Sequence, residues 1–141
     1  MKLFRNLTLA LISFILVCSV QANGKNSTDE SFRKKLVGVW LIEHTSPHFS
    51  VNGEVNLLAN GSFNTWADFV FKGKGVKPIR YKGVWEVKNG ILIETITETN
   101  IPGEVGKVTE DEILRVDDRE FEFKHSSGSV IIRKRKVTSN T

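Results

Sequence analysis

His44 and His48 stand four residues apart, and His125 lies far along the chain. Zinc needs three or four ligands in a fixed geometry. The His44–His48 pair spans a strand end and a loop carrying Pro47, where residues four apart share no face, so no metal site is expected. Nucleophilic catalysis needs a nucleophile, a base and a group that orients the base. The one cysteine, Cys18, lies in an apolar leader, and no serine sits in a Gly-x-Ser-x-Gly elbow. The glycines of Lys72-Gly73-Lys74-Gly75-Val76-Lys77-Pro78 lack the spacing and the following helix of a phosphate loop. Most carboxylates alternate outward on strand-like segments. The chain is therefore expected to be no enzyme and to need no metal or cofactor.

The remaining chemistry is that of binding. Phe63, Thr65, Ala67, Phe69 and Phe71 alternate and share one face of a strand; Phe121, Phe123 and His125 share a face of another. Thr65 and Ala67, like Thr95 and Thr97, are small for inward positions and leave room. Phe69, Phe71 and Tyr81 are the expected ligand-binding residues at one end of a barrel. Lys72, Lys74 and Lys77 stand beside them as a cationic rim for an anionic head. The bland alternatives are a filled core and an ordinary solvated, charged edge.

The elements that must position these residues begin after a leader. Lys2 and Arg5 precede an apolar run from Leu7 to Val17, then Val20-Gln21-Ala22. This is the form of a secretory signal peptide over 1–22, cleaved near Ala22. A lipoprotein anchored at Cys18 is the rival, with Val17 where Gly, Ala or Ser is usual. The chain after the leader, 23–141, is long enough for one domain with one core. It has no cysteine, so packing alone must stabilise it. Losing Lys2 and Arg5 lowers the formal charge of +4 by two. That balance and export both argue against nucleic acid, and a periplasmic or secreted protein with no integral membrane span is expected.

Ser27-Thr28-Asp29-Glu30 fits a capping box, with Ser27 as N-cap, opening a short helix to about Lys35 whose apolar face holds Phe32 and Leu36. From there, alternating β-branched and aromatic residues predict eight strands over 37–44, 50–58, 62–71, 79–88, 91–100, 104–117, 119–125 and 129–137. Short turn signals join them and no helix interrupts them, which excludes parallel crossovers. The fold class is all-β: an eight-stranded antiparallel up-and-down barrel with a short N-terminal helix.

Two hairpins have an arguable register. A three-residue loop Ala59-Asn60-Gly61 with a glycine bulge pairs Phe63 with Leu57 and puts Val55 and Val51 inside. The same loop form at Lys88-Asn89-Gly90 pairs Val87 with Ile91 and Trp85 with Ile93. It places Ile79, Tyr81, Trp85, Val87, Ile91, Ile93, Thr95 and Thr97 inside, and Glu86, Glu94 and Glu98 outside. The alternative register puts Glu94 beside Trp85 and Glu98 beside Tyr81, at the cost of burying a carboxylate. In that case Glu94 becomes a ligand-binding group.

Gly38-Val39-Trp40 and Gly83-Val84-Trp85 repeat one pattern on two strands. Glycine lets a tilted barrel strand bend and leaves space for a tryptophan two residues on to fill the floor. Helix, then Leu36-Val37-Gly38-Val39-Trp40, resembles the first signature of the lipocalins. Asn60-Gly61-Ser62-Phe63 and Gly83-Val84-Trp85-Glu86-Val87 resemble the short bacterial lipocalin-like domains of the calycin type. The resemblance spans nearly the whole chain after the leader. It implies an eight-stranded barrel that often holds a hydrophobic ligand, and an arginine that crosses the first-strand tryptophan, here Arg133 or Arg135. The second lipocalin signature and the helix after the last strand have no counterpart in the sequence.

Two functions follow. One is an exported barrel binding a small hydrophobic or amphiphilic ligand. The other is a filled barrel acting through its surface as an inhibitor or adaptor of another exported protein. An open apolar pocket of roughly 300 Å³ or more would favour the first, and a packed interior the second.

Overall fold

A computed structural model describes residues 27–137. The leader, its cleavage site and Cys18 lie outside the described residues. Residues 27–36 are helical. Eight strands follow: β1 (Gly38–Thr45), β2 (Phe49–Leu57), β3 (Ser62–Phe71), β4 (Gly75–Lys88), β5 (Ile91–Thr99), β6 (Val108–Val116), β7 (Glu120–Lys124) and β8 (Val130–Lys134). Each pairs antiparallel with the next, in chain order. The ring is nearly closed: at its seam one bridge links Trp40 and Arg135, and the Lys136 N–H donates to the Val39 carbonyl at 2.8 Å. Lys136 also pairs with Glu54 on β2 at 2.7 Å, and this hydrogen bond holds the Glu54 carboxyl below its usual range.

The two Gly-x-Trp segments floor one end. Trp40 is fully buried, and Trp85 nearly so. Their indole N–H groups donate to the carbonyls of Leu36 (2.7 Å) and Leu58 (3.0 Å), so neither buried indole leaves its donor unpaired. The two glycines serve different neighbours. Gly38 has a φ of 138°, and a Cβ there would overlap the Arg135 guanidinium. Gly83 instead makes room for the Phe63 ring and the Thr95 carbonyl. Arg135 lies 4.1 Å from the Trp40 ring centroid, so of the two arginines singled out in the sequence it is Arg135 that crosses the tryptophan.

The helix lies over this floor. Leu36 is fully buried, with Phe32 packed against the same core, as its spacing predicts. On its polar side Glu30 faces Lys34 at 3.3 Å. The Asp29 carboxylate accepts from the N–H groups of both Asn89 and Gly90, each at 2.8 Å, and so ties the helix to the β4–β5 turn.

The first hairpin has the expected register. Leu57 pairs with Phe63, Gly61 takes φ 84°, and Val51 and Val55 are buried. The second does not. Lys88 pairs with Ile91 and Trp85 with Glu94, across a two-residue Asn89-Gly90 turn. Asn89 and Gly90 both have positive φ, 54° and 75°. That is a type I′ turn, whose twist matches that of the strands it joins, and Asp29 satisfies both of its N–H groups. Leu92, Glu94 and Ile96 therefore face inward, and Ile91, Ile93 and Thr95 outward, against expectation. Glu98 still faces out, because a bulge at Lys82/Gly83 shifts the register once more and leaves Glu98 paired with Lys82 at 2.9 Å. Two strand starts also move. β4 begins at Gly75 rather than at 79, so the expected long basic loop is a protruding hairpin with a turn of only Lys72-Gly73-Lys74. β6 begins at Val108 rather than at 104.

Trp40 carries the floor and anchors the seam. Trp40→Ala is expected to destabilise the protein by about 3–5 kcal/mol in denaturant melts. A loss below about 1 kcal/mol would contradict its place in the core.

Candidate functional site: a half-polar cavity in the barrel

Above the tryptophan floor the barrel is hollow. The cavity measures about 230 Å³. Strands β1 to β4 give it an apolar wall, including Ile42, Val51, Val55, Phe63, Phe69 and Ile79. Its hollow owes much to Thr65 and Ala67, the small inward residues of β3, which also line it. The far side is polar. Glu94 from β5, Thr109 from β6 and Arg133 from β8 face the cavity, with Tyr81 from β4.

The register of the second hairpin creates this polar side. Glu94 is the cross-strand partner of Trp85 on one side and of Thr109 on the other, which sets it next to the floor. Arg133 pairs with Phe121, whose ring lies 5.8 Å from Trp40, so it too sits just above the floor. Its guanidinium lies over Phe123 at 4.9 Å. Behind them Asp111 is buried, its Oδ1 2.6 Å from Nδ1 of His125. Thus Glu94 and Asp111, from neighbouring strands, face one arginine inside the barrel.

Burial dominates the electrostatics here. It pushes the Glu94 carboxyl above its ordinary value of 4.5, and the repulsion of Asp111 adds to this; attraction to Arg133 and the hydroxyl of Thr109 oppose it. Burial likewise lowers the Arg133 pKa, opposed by attraction to Glu94 and Asp111. Arginine nonetheless keeps its proton. Glu94 and Arg133 attract each other without joining in an ion pair. Among the described residues no side-chain polar atom is sealed from solvent without a partner. The free edges of Glu94 and Arg133 therefore open onto the cavity. Burial also raises the Tyr81 pKa, with repulsion from Glu104 second.

Of the residues singled out in the sequence, Phe69 and Tyr81 line the cavity. Phe71 lies beyond it at the rim, where the rings of Phe49, Phe69 and Phe71 sit 6.1–6.3 Å apart. Lys77 pairs with Phe69 across β3–β4 and shares its face at the entrance; Lys72 and Lys74 are exposed in the turn. Sequence reasoning missed Thr109 and the inward place of Arg133. A signal existed for the arginine. Residues two apart on a strand face the same side, so an Arg135 that crosses Trp40 puts Arg133 inside as well.

No helix among the described residues is long and apolar enough to cross a membrane. The sequence matches no protein-family model, and no curated protein matches it either.

An acid whose native pKa is raised stabilises the fold least when it is ionised. The contribution of Glu94 is therefore most favourable below its ordinary value of 4.5 and is lost as pH rises from there through the raised native value. Glu94→Gln removes that dependence. The variant is expected to match the parent at about pH 4 and to melt higher at about pH 8, by about 4 °C for each kcal/mol relieved. Melting curves at both pH values check this, and a lower melting temperature at the higher pH would contradict an inward, desolvated Glu94.

Proposed function

We propose that this protein is an exported, lipocalin-like barrel that binds one small amphiphilic molecule in its interior. The observation that carries this reading is the cavity itself, with an apolar wall on one side and a few convergent polar groups on the other, the usual make-up of a ligand site. Export rests on the leader-like segment over 1–22. The cavity falls short of the roughly 300 Å³ set above for a ligand pocket, but the interior is not packed as the filled-barrel alternative requires.

Size restricts the ligand. At about 230 Å³ the cavity is below the roughly 300 Å³ where pockets for drug-sized ligands begin. An apolar cavity of about 150 Å³ takes up benzene. The occupant is therefore compact, on the order of ten non-hydrogen atoms by that comparison. Phe69 and Tyr81 form part of the wall, and Phe71 and the lysines Lys72, Lys74 and Lys77 stand at or outside the entrance.

Butylbenzene and phenylpropyl compounds with polar ends suit this volume. At least one of them is expected to bind saturably with one-to-one stoichiometry by calorimetry. Ala67→Phe projects a ring into the cavity and is expected to abolish that binding while the protein stays folded; Thr65→Leu is a milder filler should the larger ring not be tolerated. No saturable binding by any compound of the series, or binding that survives filling of the cavity, would overturn the reading.

A further inference from the structure

Glu94 and Arg133 are an uncommon pair of neighbours. Both are charged residues set deep in the barrel, both line the same cavity, and they do not touch as an ion pair. Burying two charges without direct contact is unfavourable. What they share is the cavity space that both line, a gap with an acceptor from β5 and donors from β8. A group placed in that gap completes both.

The gap selects by charge. A carboxylate would meet Arg133, but it would also add a third acidic group to Glu94 and Asp111, which both already act on that arginine, while His125 is engaged by Asp111 at 2.6 Å. An ammonium would meet Glu94 and stand against Arg133. An apolar group would give neither charge a further hydrogen bond, leaving Glu94 to the Thr109 hydroxyl and Arg133 to the Phe123 ring. A neutral group with a donor beside an acceptor satisfies both sides and leaves the net charge of the interior unchanged. An amide has that form: its N–H donates to the Glu94 carboxylate, and its carbonyl accepts from the Arg133 guanidinium. Both hydrogen bonds are charge-assisted and lie in a low-dielectric interior, where such bonds are strong.

The gap also fixes a direction. Glu94 and Arg133 adjoin Trp85 and Phe121 at the floor, while Phe69 and its ring neighbours Phe49 and Phe71 mark the entrance. The polar end must then lie deep, with the apolar end toward Phe69 and Ile79. This is the reverse of an amphiphile whose head stays at the rim lysines.

We propose that the ligand of this barrel is a small apolar amide, bound head first, with its amide bridging Glu94 and Arg133. This rests on the cavity being a ligand site. A matched series separates the two ideas: 3-phenylpropanamide, 3-phenylpropanoate, 3-phenylpropylamine and butylbenzene, measured by calorimetry on the full folded chain. The amide is expected to bind about tenfold or more tightly than each of the others, the scale of a charge-assisted hydrogen bond. Arg133→Met is expected to bring the amide down toward butylbenzene, and Glu94→Gln, which keeps an acceptor but loses its charge, to weaken the amide several-fold, while butylbenzene changes less than about threefold. Glu94→Gln keeps the shape of the side chain, so the question survives if Arg133→Met fails to fold. Isotope-filtered NOEs are expected from the phenyl protons of the amide to Phe69 and Ile79. Butylbenzene, the acid or the amine binding as tightly as the amide would overturn this proposal while leaving the cavity a binding site. Phenyl contacts confined to Phe63 and Val55 would overturn the head-first direction. Failure of the whole series to bind would remove the underlying reading instead.

Discussion

The barrel depends on one arginine. Arg135 lies over the face of Trp40 and donates to the carbonyls of Lys35 (2.5 Å), Val37 (2.8 Å) and Asp118 (3.0 Å). In a single side chain it joins the end of the helix, the start of β1, the β6–β7 turn and the strand that closes the ring. Few backbone hydrogen bonds link β1 and β8, so side chains supply much of the closure at this seam. Gly38 has no Cβ because the guanidinium occupies that space. With the ring nearly closed and floored, the interior becomes a container rather than the inner face of an open sheet.

Closure also explains how a carboxylate can be tolerated inside. On an open sheet, an inward Glu94 would reach water and define nothing. In a nearly closed barrel it is held against an apolar wall, and Arg133 on β8, two residues before Arg135, is brought to face it. The residue that shuts the seam thus fixes the side on which its neighbour must lie. Asp111 and His125, 2.6 Å apart, extend this polar side toward β6 and β7. The hollow survives because Thr65 and Ala67 are too small to fill it from the opposite wall.

The eight strands, their order, the helix with its Phe32 and Leu36 face, and the burial of both tryptophans were legible in the sequence. Alternation and turn residues are local properties, and a barrel of consecutive hairpins is built from local contacts. The first hairpin was legible for the same reason, since only one register buries Val51 and Val55. The second was not. Asn89-Gly90 supports either a two-residue turn or a longer bulged loop, and the cost of burying Glu94 favours the loop when that strand is considered alone. The offsetting groups lie elsewhere: Asp29, some sixty residues before the turn, caps its N–H groups, and Arg133, on the last strand, faces the carboxylate. A long-range partner can reverse a local preference; nothing in the sequence marks Asp29 as one, and Arg133 is marked only through Arg135, once that residue is placed over Trp40.

The central claim is that Glu94 and Arg133 flank an interior site that a small molecule completes. The most direct measurement is a crystal structure of the protein purified from its own host. The account predicts compact density between the two side chains above Trp40 and Trp85, with the apolar portion running toward Phe69. A structure in which Glu94 and Arg133 join directly as an ion pair, with the surrounding wall collapsed onto them and no cavity left, would contradict it.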